Sequence, residues 1–269
     1  LTYPAGGPPE LNSAKNLLNY FVDFWTKPVI LVYMIKIKST ECSLSEFKKL
    51  RIEGWVNNFD RAGMNKWHDS HNQDNHKYSG NCGETLELLC DPTSVPNSDK
   101  GADLGGILEC KTRMVNSHSS VLTLFGEKPK TRAVSNQVLE RVVGNSSIRL
   151  KVGQTKKGWD LRFTKTKMIL EHCDLGKVFS WDIDALLDRY ASKFENILSC
   201  DAIRKVENGK LKFLYTKVDL YLATDPKRFL QMVKDGEIVF ETAKGWNSFS
   251  FRVSHKNSAK LFGKAISIK

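Results

Sequence analysis

One stretch constrains this chain more than any other: Gly101-Ala102-Asp103-Leu104-Gly105-Gly106-Ile107-Leu108-Glu109-Cys110-Lys111-Thr112. Ile107 to Lys111 has the length and apolarity of a buried strand. Alternate side chains share a strand face, so Glu109 and Lys111 point the same way. Asp103 comes from the turn before and can fold back beside them. Two converging carboxylates repel unless a cation lies between them. Mg2+ suits that arrangement, being hard, oxygen-seeking and content to keep several waters. A Lys beside it can orient a water and neutralise a phosphoryl oxygen. The same pattern also arises as a turn Asp with Glu109 and Lys111 solvated on a half-exposed strand, so the triplet alone leaves both readings standing.

The neighbouring motifs add weight. Upstream stands Gly80-Asn81-Cys82-Gly83-Glu84-Thr85-Leu86-Glu87-Leu88-Leu89; downstream stand Thr112-Arg113-Met114 and Asn116-Ser117-His118-Ser119-Ser120-Val121-Leu122-Thr123-Leu124-Phe125. In this order they resemble the MvaI/BcnI family of restriction endonucleases, relatives of the mismatch-repair nicking enzyme MutH. In that family a Gly-x-Thr helix carrying a Glu precedes Asp…Glu-x-Lys, and a Leu-Thr-Leu-Phe strand follows. The resemblance runs from about Ser43 to the C-terminus and thins after Val152.

The formal net charge is +11, with Lys and Arg spread along all 269 residues. That surplus favours a polyanionic partner, nucleic acid first. An anionic membrane surface is usually met by a concentrated basic tail or amphipathic helix, whereas here Lys and Arg are spread through the chain. The six cysteines form no CxxC pair and read as reduced thiols of a cytoplasmic protein. The first residues lack a secretory pattern. Leu17 to Ile35 is too interrupted by Asn19, Asp23, Lys27 and Pro28 for a membrane span.

Residues 1–40 read as an N-terminal extension, with a helix through Leu17, Phe21 and Trp25 and a strand over Val29–Ile37. Residues 41–170 read as a catalytic lobe and 171–269 as a recognition lobe of one endonuclease domain. A Ser43–Glu46 capping box opens a helix that Gly54 closes. The polar loop after it, Asn57 to Tyr78, holds His68, His71 and His76 with Asp69 and Asp74. It lacks paired Cys/His zinc spacing, so a solvated loop leads, with DNA-backbone contact and metal behind. Past Val138 strands dominate: a hairpin of Ser147–Val152 with Trp159–Phe163, then Met168–His172. Asp182 caps a helix through Leu198, Asn208-Gly209 turns a hairpin within Lys205–Tyr221, and Pro226 opens a helix closed by Gly236. Ile238 to Lys269 is strand-rich. This mixture fits an α/β nuclease core with a second lobe.

The resemblance implies more. The fold would be a restriction-endonuclease-like core, a mixed central sheet flanked by helices, with a strand-rich DNA-recognition lobe forming a cleft. Asp103 and Glu109 would hold Mg2+, Lys111 would position the water and Glu87 would assist; an exposed helix carboxylate is the plainer reading of Glu87. Arg113, Asn116, Ser119 and Lys130 suit contacts to phosphates or base edges, with plain turn chemistry and a solvated charged loop as the alternatives. The family reads bases with a His-Gly-Thr turn ahead of a Phe-Arg pair. Here Phe251-Arg252 matches the pair, but Asn247 stands in place of the His, with His255 near enough to contribute. The expected activity is Mg2+-dependent hydrolysis of double-stranded DNA at a short, nearly palindromic site, one strand at a time, by a monomer. A MutH-like repair nickase and a non-catalytic DNA-binding protein are the alternatives.

Overall fold

The computed structural model describes residues 44–74, 80–95, 101–115 and 121–268. The proposed helix and strand of the N-terminal extension lie outside them. The chain divides into a unit ending at Lys49 and a second beginning at Leu50. All packing below lies within the second.

Helix α1 spans Leu44–Ala62 and runs straight through Gly54. Ile52, Trp55 and Phe59 recur at three- and four-residue spacing and are all buried. That continuous apolar stripe carries the helix past a glycine whose cost is only about 1 kcal/mol. Gly63, at φ +101°, follows the last turn. The stretch read as a polar loop is therefore helix to Ala62, followed by strand β1, Trp67–Asp69.

After α2 (Asn81–Cys90) come β2 (Glu109–Met114), β3 (Val121–Gly126), β4 (Thr131–Arg132) and α3 (Asn136–Val143). Strands β5 (Ile148–Leu150), β6 (Trp159–Phe163), β7 (Lys167–His172) and β8 (Gly176–Asp182) lead into α4 (Ile183–Phe194). Next are β9 (Ile197–Glu207), β10 (Lys210–Tyr221) and α5 (Pro226–Lys234). The chain ends with β11 (Ile238–Thr242), β12 (Phe249–Ser254), α6 (His255–Phe262) and β13 (Ile266–Ile268).

The strands form three sheets. The first runs β1-β10-β9-β2, with β13 also on β10. It is mixed, because β2 lies parallel to β9 while β9 and β10 are antiparallel. The others run β3-β12-β11-β5 and β4-β8-β7-β6. The Asn208-Gly209 hairpin is present, both residues holding positive φ (51° and 75°), as a tight two-residue turn requires. The expected pairing of Ser147–Val152 with Trp159–Phe163 is absent. Instead β5 pairs with β11 and β6 with β7. A tight turn in which Lys156 and Trp159 exchange backbone hydrogen bonds sends the chain from one sheet into the other.

Two apolar cores follow. The smaller packs α1 and α2 on the first sheet through Trp55, Phe59, Leu86, Leu108, Leu198, Cys200 and Tyr215. The larger fills the strand-rich part with α4, α5 and the other two sheets, and is dense in aromatic rings. Trp159 and Trp246, for instance, lie 4.9 Å apart. Strand β9 serves both: Ile197 points into the larger core, Leu198 and Cys200 into the smaller. Helix α4 ends at Phe194, short of the expected Leu198, because the alternating burial from Ile197 onward is that of a strand beside β2. Two helices were not anticipated. In α3, Val138, Leu139, Val142 and Val143 recur at helical spacing within a stretch read as strand, although only Leu139 is buried; α6 buries Leu261 and Phe262 at its C-terminal end.

Candidate active site

Strand β2 lies at the edge of the first sheet, so its outer side is open to other elements. Its N-terminus is fixed by Asn196, whose backbone carbonyl accepts the Glu109 N–H at 2.9 Å. The Asn196 side chain donates to the Ile107 carbonyl at 3.1 Å. Asp103 folds back as its turn position suggested: its Oδ2 accepts the Cys110 N–H at 2.9 Å. Gly105 and Gly106, at φ +57° and +68°, make the intervening turn.

Glu109 is fully buried. The Lys111 ammonium, from the same strand face, pairs with its Oε1 and lies 5.4 Å from the Phe194 ring centroid. A second ammonium, unforeseen from sequence, comes from α4. Lys193 Nζ lies 3.0 Å from Glu109 Oε2 and 3.7 Å from Asp103 Oδ1, and donates to the Gly101 carbonyl at 3.3 Å. The Lys193 contact to Oε2 is electrostatic, since that oxygen accepts no hydrogen bond. Nothing local could have revealed Lys193: it follows Tyr190 on an amphipathic helix and is far from Glu109 in sequence.

Glu87 is buried on α2, the helix beside β2. Burial, then the charges of Asp103 and Glu109, push its carboxyl up to about 8. Burial also pushes Glu109 up, with Asp103 adding and the two ammonium groups opposing. The oxygens of Glu87, Asp103 and Glu109 do not all come within 4.8 Å of one another. Asp103 and Glu109 share the Lys193 ammonium, and Glu87 feels the charge of both. A divalent cation fits this donor set: all oxygen, two carboxylates sharing one cation already, and one buried oxygen without a hydrogen bond. Mg2+ is commonly held by one or two carboxylates plus water.

The residues assigned to DNA contact are dispersed. Arg113 lies opposite Asp201 on β9 and grips its carboxylate through two nitrogens. Burial, then Arg113, holds His255 below its ordinary value, so these two are neighbours. Arg252 and Arg149 both pair with Glu241, one from each flanking strand, on the face of the second sheet away from the core. Lys130 pairs with Asp182, which occupies the N-cap position of α4 without making a cap hydrogen bond. Asn247 ends a turn tied down by Asn136, which donates to its side-chain oxygen at 3.0 Å, and by Arg132, which donates to the Trp246 carbonyl at 2.9 Å. Asn116 and Ser119 lie outside the described residues, as does His76. His68 is 2.9 Å from the Gly63 carbonyl through Nε2, while the His71 backbone donates to Thr85. Among the described residues the one His/Cys/Asp grouping is His172, Cys173 and Asp174.

Residues 136–262 match the sequence model of the MvaI/BcnI restriction endonuclease family. The match begins after the Asp103…Glu109-x-Lys111 stretch and covers most of the part where the motif resemblance had thinned. Among solved structures, a complex of the restriction endonuclease MvaI with its cognate DNA substrate is similar at a TM-score of 0.62. It is 19% identical, with 84% of this chain and 100% of that one covered. MvaI in the absence of DNA follows at TM-score 0.46 and 18% identity, with 87% and 100% covered. No curated protein sequence matches the chain. The first of these likenesses gives the fold, a mixed α/β arrangement, and residues 136–262 are similar in sequence to the MvaI/BcnI restriction endonuclease family.

Proposed function

We propose that this protein is a type II restriction endonuclease that hydrolyses phosphodiester bonds in double-stranded DNA with Mg2+. The observation that carries the reading is the convergence of Asp103, Glu109 and Lys111 at one buried point on β2. Asp103 and Glu109 would hold the cation. Bound there, Mg2+ supplies a water of lowered pKa and positive charge for the phosphoryl oxygens. Lys111 orients the attacking water and places its charge toward the phosphorus as negative charge develops. Glu87, buried on α2 beside the charges of Asp103 and Glu109, assists.

Duplex DNA is the proposed partner, as in the MvaI complex. Arg252, Asn247 and His255 would read base edges, while Arg113 and Lys130, with Asn116 and Ser119, would meet the backbone. Ion pairs hold Arg113, Arg252 and Lys130 in place before DNA arrives, so less side-chain entropy is lost on binding. The enzyme acts as a monomer on a short, nearly palindromic site, cutting one strand and then the other. Supercoiled plasmid incubated with Mg2+ tests this: discrete fragments of fixed sequence at the ends support it. Persistent nicking would mark a repair-type nickase, and unchanged plasmid a binding protein.

A further inference from the structure

Lys193 stands where a cation is wanted. Its ammonium is 3.0 Å from Glu109 Oε2 and 3.7 Å from Asp103 Oδ1, so it bridges the two carboxylates assigned to the metal. Its side chain is only 13% exposed. The helix that presents it is anchored in the larger core by Leu186, Tyr190 and Phe194, all essentially inaccessible. Lys111 already neutralises the other Glu109 oxygen. Lys193 therefore answers the remaining repulsion between Asp103 and Glu109, the repulsion a divalent ion would otherwise answer.

We infer that Lys193 is a positioning residue, a built-in counter-cation that holds Asp103 and Glu109 in the metal-free protein and is displaced when the metal enters. This rests on the assignment of Asp103 and Glu109 as metal carboxylates. A singly charged ammonium competes for the same oxygens, so the site is assembled before the ion binds and affinity is lowered in exchange. A residue that merely packed α4 against β2 would affect metal-free and metal-bound protein alike.

The test uses Mn2+, which accepts the same oxygen ligands as Mg2+, with the full chain and no DNA. Binding is followed by the electron paramagnetic resonance of the free ion, with melting temperatures alongside. Lys193→Met should bind Mn2+ at least about tenfold more tightly, since it removes a positive charge from the ion's own ligands. It should also melt lower than the parent without metal, with the gap closing as Mn2+ is added. Lys193→Arg, which keeps the charge, should stay near the parent affinity. In the unsubstituted protein, Mn2+ should speed amine labelling of Lys193 several-fold, a readout needing no variant. Equal or weaker Mn2+ binding by Lys193→Met, or labelling that Mn2+ leaves unchanged or slows, overturns the inference. Asp103→Ala separates the two claims. If it abolishes Mn2+ binding while Lys193→Met binds like the parent, the metal site stands and the displacement fails. If Asp103→Ala binds like the parent, the carboxylate assignment fails and takes the inference with it.

Discussion

The Asp103 carboxylate accepts the backbone N–H of Cys110 at 2.9 Å, so the turn is latched onto the strand between Glu109 and Lys111. Its other oxygen faces Lys193. Asp103→Asn keeps an acceptor for the N–H but loses the charge, whereas Asp103→Ala loses both. Both variants should lose nearly all cleavage. Asp103→Ala should be destabilised by about 1 kcal/mol relative to Asp103→Asn, the usual size of one such hydrogen bond. Urea unfolding of the two metal-free variants measures the difference.

Lys111→Ala leaves Asp103 and Glu109 in place and removes the ammonium proposed to face the phosphorus. A loss in cleavage rate of about a hundredfold or more is expected, by analogy with deleting one oxyanion donor. DNA affinity measured with Ca2+ should change little. Single-turnover cleavage and a binding titration on the same duplex separate the two effects.

His255 gives a pH signature. Burial and the Arg113 charge depress its folded-state value below that of an exposed histidine, about 6.5. A depressed group contributes stability that is present above the unfolded value and lost as pH falls through the folded one. The protein should thus lose more melting temperature between about pH 8 and pH 5.5 than His255→Gln does. His255 is partly exposed, so solvent keeps the difference small. Parallel curves for the two proteins would show that His255 is not linked to folding.

The net charge of +11 predicts salt-sensitive DNA binding. Affinity for a short duplex should fall at least about tenfold between 50 and 200 mM salt as bound counterions are released. Binding should persist in EDTA. A salt-insensitive binding constant, by fluorescence anisotropy, would remove the electrostatic part of the partner assignment.

The convergence of the candidate site residues was legible because they lie close in sequence. Asp103, Glu109 and Lys111 come from one turn and one strand, and strand alternation alone places two of them together. The Asn208-Gly209 turn and the helix start at Pro226 were legible for the same reason, since a local backbone requirement dictates the residue. What escaped was set at long range. Lys193, Asn196 and Asp201 reach β2 only because β9 pairs with it in parallel register. Gly54 was misread because a local stop signal was outweighed by the buried stripe of Ile52, Trp55 and Phe59. The β5–β6 pairing failed because neighbours in sequence belong to different sheets, a choice made by partners some ninety residues downstream in one case, as in the pairing of Ile148 with Thr242.

The most direct test of the account is Mg2+-dependent plasmid cleavage by the parent chain and by Glu109→Ala, purified side by side and matched for folding by circular dichroism. Glu109 is the residue on which Lys111 and Lys193 both converge. The account predicts discrete fragments from the parent, none in EDTA, and none from Glu109→Ala although it still binds the duplex. Cleavage by Glu109→Ala at the parental rate would contradict it, because β2 would then not be the active strand.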